Sequence, residues 1–452
     1  MCRCTPRLNR ARRSVTLAGM SSPGRLNTFQ RTMLLWDEMH AYNAVHIARV
    51  PTPLEAVRLR AVLAKVLEER GLTGLRIDAK AYEFRGGAAV IDLALCDDGA
   101  DVRETLRAET ERQINLRFDH AGEFTPFRFF AVPDGDSFWL GTAYFHAIAD
   151  AEPIVRLACD FVAEYGGATA KRGRLNCGPA RGRRAPGRLS MWLRKLFTLP
   201  AQFRGMRRAI RPGCTDSTDF ANALELFTLG STELAALITA GKGLDVTVND
   251  LLLALLMWSF APLCEAARRD GRDQISLGCI VNARRDLGTE GGDSFGLVLG
   301  GFSIACGIAE TADLSKLARS IAVQTRRYKS GGLHLANALE MGLVLRLMSL
   351  FSTNQRRRFY PKNYPLWGGL TNMNLTKLPV NAVAVPSATA RPSDYLRAVS
   401  TGPVTPLVLS VTTFGKGVNL SMSYRTSVYS REEISAVRER FTAAVGGLEA
   451  AP

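Results

Sequence analysis

The sequence predicts an α/β chain folded as two halves, and three observations carry that expectation. Stretches with strand-like alternation and stretches with helical spacing follow one another along its length, as in residues 42–50 and 54–69. At 452 residues the chain exceeds one ordinary core, so two domains of about 150 to 220 residues are expected. Residues 166–187 are rich in Gly, Pro and Arg and read as a linker between them. The expected division is a basic, disordered arm over residues 1–25, a first half over 26–165, a basic crossover over 166–215 and a second half over 216–452.

The elements follow in order. Residues 26–36 form a helix candidate and residues 42–50 alternate as a strand. In residues 54–69, Val57, Leu59, Val62, Leu63, Val66 and Leu67 make the apolar stripe of a second helix. Pro133, Asp134 and Gly135 turn a hairpin whose apolar, aromatic strand returns through Trp139 to Tyr144. After it, Ile154, Leu157, Ala158, Phe161, Val162 and Tyr165 recur at helical spacing, with Pro153 tolerated in the first turn and Asp150 placed to cap it. The second half is read as a strand at 223–229, a helix at 232–240, and a strongly apolar helix at 245–264 capped by Thr247, Asn249 or Asp250. A buried strand at 274–281 ends in Val281, Asn282, Ala283 and Arg284, and residues 297–305 read as a further strand. Residues 334–351 form a Leu/Met-rich helix followed by Arg356, Arg357 and Arg358, a possible contact for an anionic partner. Strands at 370–375, 407–412 and 420–424, with a turn at Gly415 and Gly417, and a helix at 430–448 close the chain.

Composition sets the broad class. Hydrophobic content of 46% with 22% charged residues is that of a globular protein. The longest uncharged apolar run, residues 251–264, falls short of the roughly twenty residues of a membrane span. Nine cysteines occur without a C-x-x-C pair or Cys/His zinc spacing, so reduced, mostly buried thiols in a cytoplasmic protein are expected, with no metal site. The net charge of +16 is local: residues 1–25 carry six arginines and no acid, residues 166–215 carry thirteen Lys or Arg and no acid, and setting those six and thirteen charges aside leaves −3 for the rest. No nucleic-acid partner is therefore expected. Residues 1–19 read either as an Arg-rich arm or as an over-long start preceding Met20. Residues 189–210 interleave large apolar residues with cations, as in a helix lying on an anionic surface; an ordinary surface helix over the junction has the same composition.

Chemistry concentrates in Tyr144-Phe145-His146-Ala147-Ile148-Ala149-Asp150, a strand end, a turn and a helix start. A neutral imidazole, with its reference pKa of about 6.5, can accept a proton from a hydroxyl or amine at neutral pH. Asp150 would hold the turn in shape. The same residues read equally as a hydrogen-bonded core histidine and a helix cap.

Strand, F-H-A-I-A-D-A and amphipathic helix together resemble the H-H-x-x-x-D-G site of the thioester-dependent acyltransferase superfamily, which includes chloramphenicol acetyltransferase, condensation domains, polyketide-associated acyltransferases and wax ester synthases. The second histidine and the aspartate are kept as His146 and Asp150; Phe145 replaces the first histidine and Ala151 the glycine. Val248-Asn249-Asp250-Leu-Leu-Leu-Ala254 resembles the family's N-D-x-x-L-A helix start, and Val281-Asn282-Ala283-Arg284 its V-N-x-R strand end. Residues 370–375 resemble the strand of the S-N-x-G element, whereas the D-F-G-W-G element of the plant branch is absent. The resemblance covers about residues 26–448.

It implies a V-shaped pseudo-dimer of two similar α/β halves with mixed sheets and a tunnel at their junction. His146 would be the general base, Arg284 would pair with Asp150 beneath the site, and Phe145, Asn249 and Asn372 would be tunnel or substrate residues, Asn372 polarising the acyl carbonyl. The implied reaction moves an acyl group from a coenzyme A or phosphopantetheinyl carrier thioester to an alcohol or amine, without a permanently bound cofactor. An acidic acyl carrier protein or an anionic membrane surface, met through residues 171–211, is the expected partner, which would place the protein in the cytoplasm or peripheral to a membrane.

Two rival readings remain. Phe145 and Ala151 suit a non-catalytic docking relative. Gly292-Asp293-Ser294-Phe295-Gly296 fits G-x-S-x-G, the nucleophile elbow of serine hydrolases, but lacks an apolar strand before Ser294 and a helix after it. No dinucleotide fingerprint or P-loop occurs.

Overall fold

The computed structural model describes residues 24–97, 101–168, 172–176, 205, 207–289, 294–363, 366–377 and 388–448. The strands are β1 (Gly24–Arg25), β2 (Asn43–Val50), β3 (Leu75–Ile77), β4 (Ala81–Phe84), β5 (Leu93–Leu95), β6 (Phe127–Asp134), β7 (Ser137–Phe145), β8 (Asn222–Leu229), β9 (Gln274–Asn282), β10 (Leu299–Gly307), β11 (Gly368–Asn374), β12 (Asp394–Val399), β13 (Leu407–Phe414) and β14 (Gly417–Arg425). The main helices are α1 (Thr28–Asp37), α2 (Ala56–Arg70), α3 (Val102–Asn115), α4 (Ala151–Tyr165), α5 (Ser231–Gly243), α6 (Val248–Ala266), α7 (Leu314–Ser330), α8 (Leu333–Met348), α9 (Thr353–Asn363) and α10 (Arg431–Gly447).

Local chemistry explains most boundaries. Asn27, Thr247 and Ser430 close capping boxes with Gln30, Asp250 and Glu433 at the starts of α1, α6 and α10. Gly71 stops α2 at φ 69°. Gly135, at φ 60°, makes the turn between β6 and β7, with Pro133 and Asp134 still in the strand. The apolar helix α6 is long and apolar enough to cross a membrane, but Leu251 to Met257, Phe260 and Cys264 are buried in the second core. The basic helix expected over residues 189–210 lies almost wholly outside the described residues. The described cysteines, Cys96, Cys159, Cys214, Cys264, Cys279 and Cys306, are free thiols.

Two mixed sheets organise the chain. The first runs β12-β2-β7-β6-β5 and the second β10-β9-β11-β13-β14-β8. Each has its own core: Leu63, Phe127, Phe129, Phe161 and Tyr165 among others under the first, and Leu251, Leu277, Leu409, Met422 and Phe441 under the second. The division at residue 216 needs one correction. Strand β12, late in the chain, pairs antiparallel with β2 of the first sheet, Arg397 opposite His46. Without it β2 would be an edge with unpaired backbone groups, so the crossing strand both seals that edge and binds the halves together.

Register determines what faces the junction. His46 on β2 stands between Arg397 on β12 and Thr142 on β7. Side chains two apart share a face, so Thr142, Tyr144 and then His146 follow one another along that face.

Gly141 is opposite Phe130 in the β6–β7 pair, and a Cβ there would stand 2.1 Å from the Phe130 ring. Gly141→Ala is expected to cost about 1–3 kcal/mol by overpacking, read as a lower urea midpoint, and Phe130→Leu in the same chain should recover part of the loss.

Candidate active site

His146 begins a 3₁₀ turn, His146–Ile148, immediately after β7. The turn is held from several directions. Its first amide donates to the Tyr42 carbonyl at 3.3 Å, and Gln30 Nε2 from α1 donates to the Ala147 carbonyl at 2.9 Å. The Tyr42 ring stacks on the imidazole at 5.5 Å and Tyr144 meets it edge-on at 5.7 Å. Nδ1 lies 3.1 Å from the Ala149 carbonyl, an acceptor only, so the neutral ring carries its proton on Nδ1 and leaves the lone pair on Nε2. Nε2 has no hydrogen-bond partner among the described residues.

The ring lines a cavity of about 440 Å³ bordered by β2, β7 and β12 of the first sheet, β9, β10, β11 and β13 of the second, and α1 and α8. The ring is mostly buried, and loss of solvent pushes the imidazole pKa down to about 4, against the pull of the Ala149 carbonyl. His46 behind it is likewise held well below its ordinary value by burial, with the Arg397 charge acting the same way, and its Nδ1 lies 2.7 Å from Tyr395 Oη.

Asp150 faces away from solvent into an ion pair. Arg284 Nη2 lies 2.9 Å from Asp150 Oδ2 and also donates to the Gly296 carbonyl at 2.8 Å; Nε reaches Oδ1 at 3.4 Å. The Val298 amide donates to Oδ2 at 2.7 Å and the Glu152 amide to Oδ1 at 3.2 Å, which caps α4. Burial pushes the Asp150 carboxyl up, while Arg284 and the two amides draw it back down. Next to the pair, Asn282 Nδ2 donates to Glu152 Oε2 at 2.8 Å. One side of the ion pair follows β7 and the other follows β9, so it joins the two sheets beneath His146.

Three sequence candidates fall elsewhere. Phe145 is fully buried, its ring 5.3, 5.8 and 6.1 Å from those of His120, Phe124 and Phe118, because neighbours on a strand point to opposite faces and His146 takes the cavity side. Asn249 sits in the first turn of α6, where Nδ2 approaches Cys279 Sγ at 3.8 Å; Cys279 reaches the cavity, Asn249 does not. Asn372 is exposed, and Thr371 beside it lines the cavity instead. Ser294 is off the cavity, its carbonyl accepts from Arg284 Nη1 at 3.4 Å, and the chain after it enters β10 with no helix. Missed by sequence reasoning were Arg397 and Ser410, both on the cavity wall.

The sequence matches no protein-family model and no curated protein. Among solved structures, a trichothecene 15-O-acetyltransferase from Fusarium sporotrichioides is 12% identical with a TM-score of 0.67, covering 94% of this chain and 95% of that one. The first condensation domain of the calcium-dependent antibiotic synthetase is 14% identical with a TM-score of 0.64, covering 96% and 98%. The condensation domain of the monacolin K polyketide synthase is 12% identical with a TM-score of 0.61, covering 96% and 99%. The chain therefore has the two-halved fold of condensation domains and chloramphenicol-acetyltransferase-like enzymes.

Asp150→Asn and Arg284→Met are each expected to destabilise the protein by about 3 to 5 kcal/mol, since either leaves one charge buried without its partner. The double variant should lose clearly less than the sum, and a urea-denaturation double-mutant cycle measures the difference.

Proposed function

We propose that the chain is an acyltransferase that moves an acyl group from a coenzyme A or carrier-protein thioester to an alcohol or amine, with His146 as general base. The observation that carries this reading is the Nδ1–Ala149 hydrogen bond, which leaves a lone pair on Nε2 of a ring lining the cavity between two sheets. The fold shared with an acetyltransferase and with condensation domains supports it.

The steps balance without an external acid or base. As the acceptor oxygen or nitrogen attacks the thioester carbonyl carbon, its proton passes to His146 Nε2. The tetrahedral intermediate collapses by breaking the C–S bond, and the imidazolium returns the proton to the leaving thiolate. Asp150 is engaged by Arg284 and two amides, so it serves the turn and takes no proton. The mostly apolar walls of the cavity strengthen each polar contact made in it.

The test is thiol release from a panel of acyl thioesters of increasing chain length, with coenzyme A and carrier protein as donor carriers and pooled alcohols and amines as acceptors. His146→Ala should lower acceptor-dependent release at least about a hundredfold. Partner binding that persists in a protein releasing no thiol under any combination would favour the docking reading.

The pH profile checks the base itself. The active form is the neutral imidazole, and its pKa is pushed down to about 4. The kcat/KM for acyl transfer should therefore stay level as pH falls through 6.5 and drop only near pH 4; an acid limb centred at 6.5 would mean that the reacting imidazole is solvated.

A further inference from the structure

The site contains two buried arginines, and they differ in charge compensation. Arg284 is neutralised by Asp150. Arg397 is 6% exposed and has no Asp or Glu in ion-pair range among the described residues. Its Nε donates to Thr412 Oγ1 at 3.0 Å and its Nη2 to the Val411 carbonyl at 2.7 Å, which spans the gap between the two sheets, while Nη1 has no acceptor among the described residues. Burial pushes the guanidinium down to about 10, so it remains a cation at neutral pH. A buried cation without a counter-ion is costly to fold around and is kept where something else supplies the negative charge.

A second unmet group lies beside it. Ser410, 1% exposed, has an Oγ without a hydrogen-bond partner among the described residues. It stands two residues before Thr412 on β13, so the two hydroxyls share the face that Arg397 crosses to. Arg397, Ser410 and His146 all line the one cavity. Two strand spacings across and four residues along the first sheet put the Arg397 and His146 Cα atoms about 16 Å apart, and with both side chains bordering the cavity this leaves room between them for a short carbon skeleton.

We propose that Arg397 and Ser410 form a carboxylate subsite, so that one substrate of the transfer carries a free carboxylate bound by Arg397 Nη1 and the Ser410 hydroxyl. A monoanion matches the single uncompensated charge. A dianion such as a phosphate would leave a net negative charge in a cavity that Glu340 also borders. The subsite rests on the acyl-transfer reading, because either the acceptor or the acyl chain can carry the acid.

Calorimetric titration with paired probes tests it. The acceptor arm compares 3-hydroxybutyrate, 4-hydroxybenzoate and β-alanine with their methyl esters; the donor arm compares malonyl- and succinyl-coenzyme A with acetyl- and butyryl-coenzyme A. In one arm the acid should bind at least tenfold more tightly than its neutral counterpart. Arg397→Gln should reduce that preference to within twofold, Ser410→Ala should weaken it several-fold, and His146→Ala should keep it. Without ligand, Arg397→Gln should melt at or above the wild-type Tm, whereas an arginine kept for folding would lower it. If Arg397→Gln does not fold, Arg397→Lys and Ser410→Ala carry the comparison, the lysine retaining a preference for the acid and the alanine weakening it several-fold. No acid preference in either arm, or one that survives loss of the guanidinium, overturns the subsite. Thiol release that depends on His146 without acid preference would leave acyl transfer standing and remove the subsite; acid binding without thiol release would do the reverse.

Discussion

The buried ion pair between Asp150 and Arg284 is the constraint on which the site depends. Taking both charges out of water is expensive, and Coulomb attraction alone does not offset it. Here the surrounding donors and acceptors complete the balance: Asp150 also accepts from the amides of Val298 and Glu152, and Arg284 also donates to the Gly296 carbonyl. Those partners come from the helix that follows His146 and from the segment leading into β10. A charge that tolerates so few alternatives therefore locates three pieces of chain at once. The consequence for chemistry is indirect but specific. Ala149, whose carbonyl holds His146 Nδ1, is the residue before Asp150, so fixing Asp150 fixes the acceptor that sets the tautomer.

The same logic explains what could be read in the sequence. His146, Asp150 and Arg284 stand at a strand end, a helix cap and a strand end, and element ends are where periodicity breaks and local chemistry shows. The placement of Phe145, Asn249 and Asn372 depends on which side of an element faces the junction. A one-residue change of face separates Phe145 from His146 and Asn372 from Thr371. Adjacent residues cannot carry that information; the partner strands do.

The crossing strand is the clearest case. Residues 394–399 look like any short strand of the second half, and nothing near them in sequence announces that the free edge of β2 will take them. Nothing in its neighbours in sequence announces that Arg397 will be buried against the second sheet. It becomes a buried cation because its neighbours are brought from residues 46, 144 and 411–412, across long stretches of chain. Long-range pairing, not composition, buries this cation.

Desolvation dominates the electrostatics of His146, and the two arginines differ in what they add to it. Arg284 is cancelled where it sits, so its field at His146 is small. Arg397 is not cancelled, and its charge adds to desolvation in holding the imidazole below its ordinary pKa. That keeps Nε2 unprotonated but lowers its appetite for a proton. An anion seated on Arg397 would remove the opposing charge and raise the basicity of His146 when substrate is present. Binding and proton transfer would thus be coupled through one guanidinium that has no carboxylate partner among the described residues.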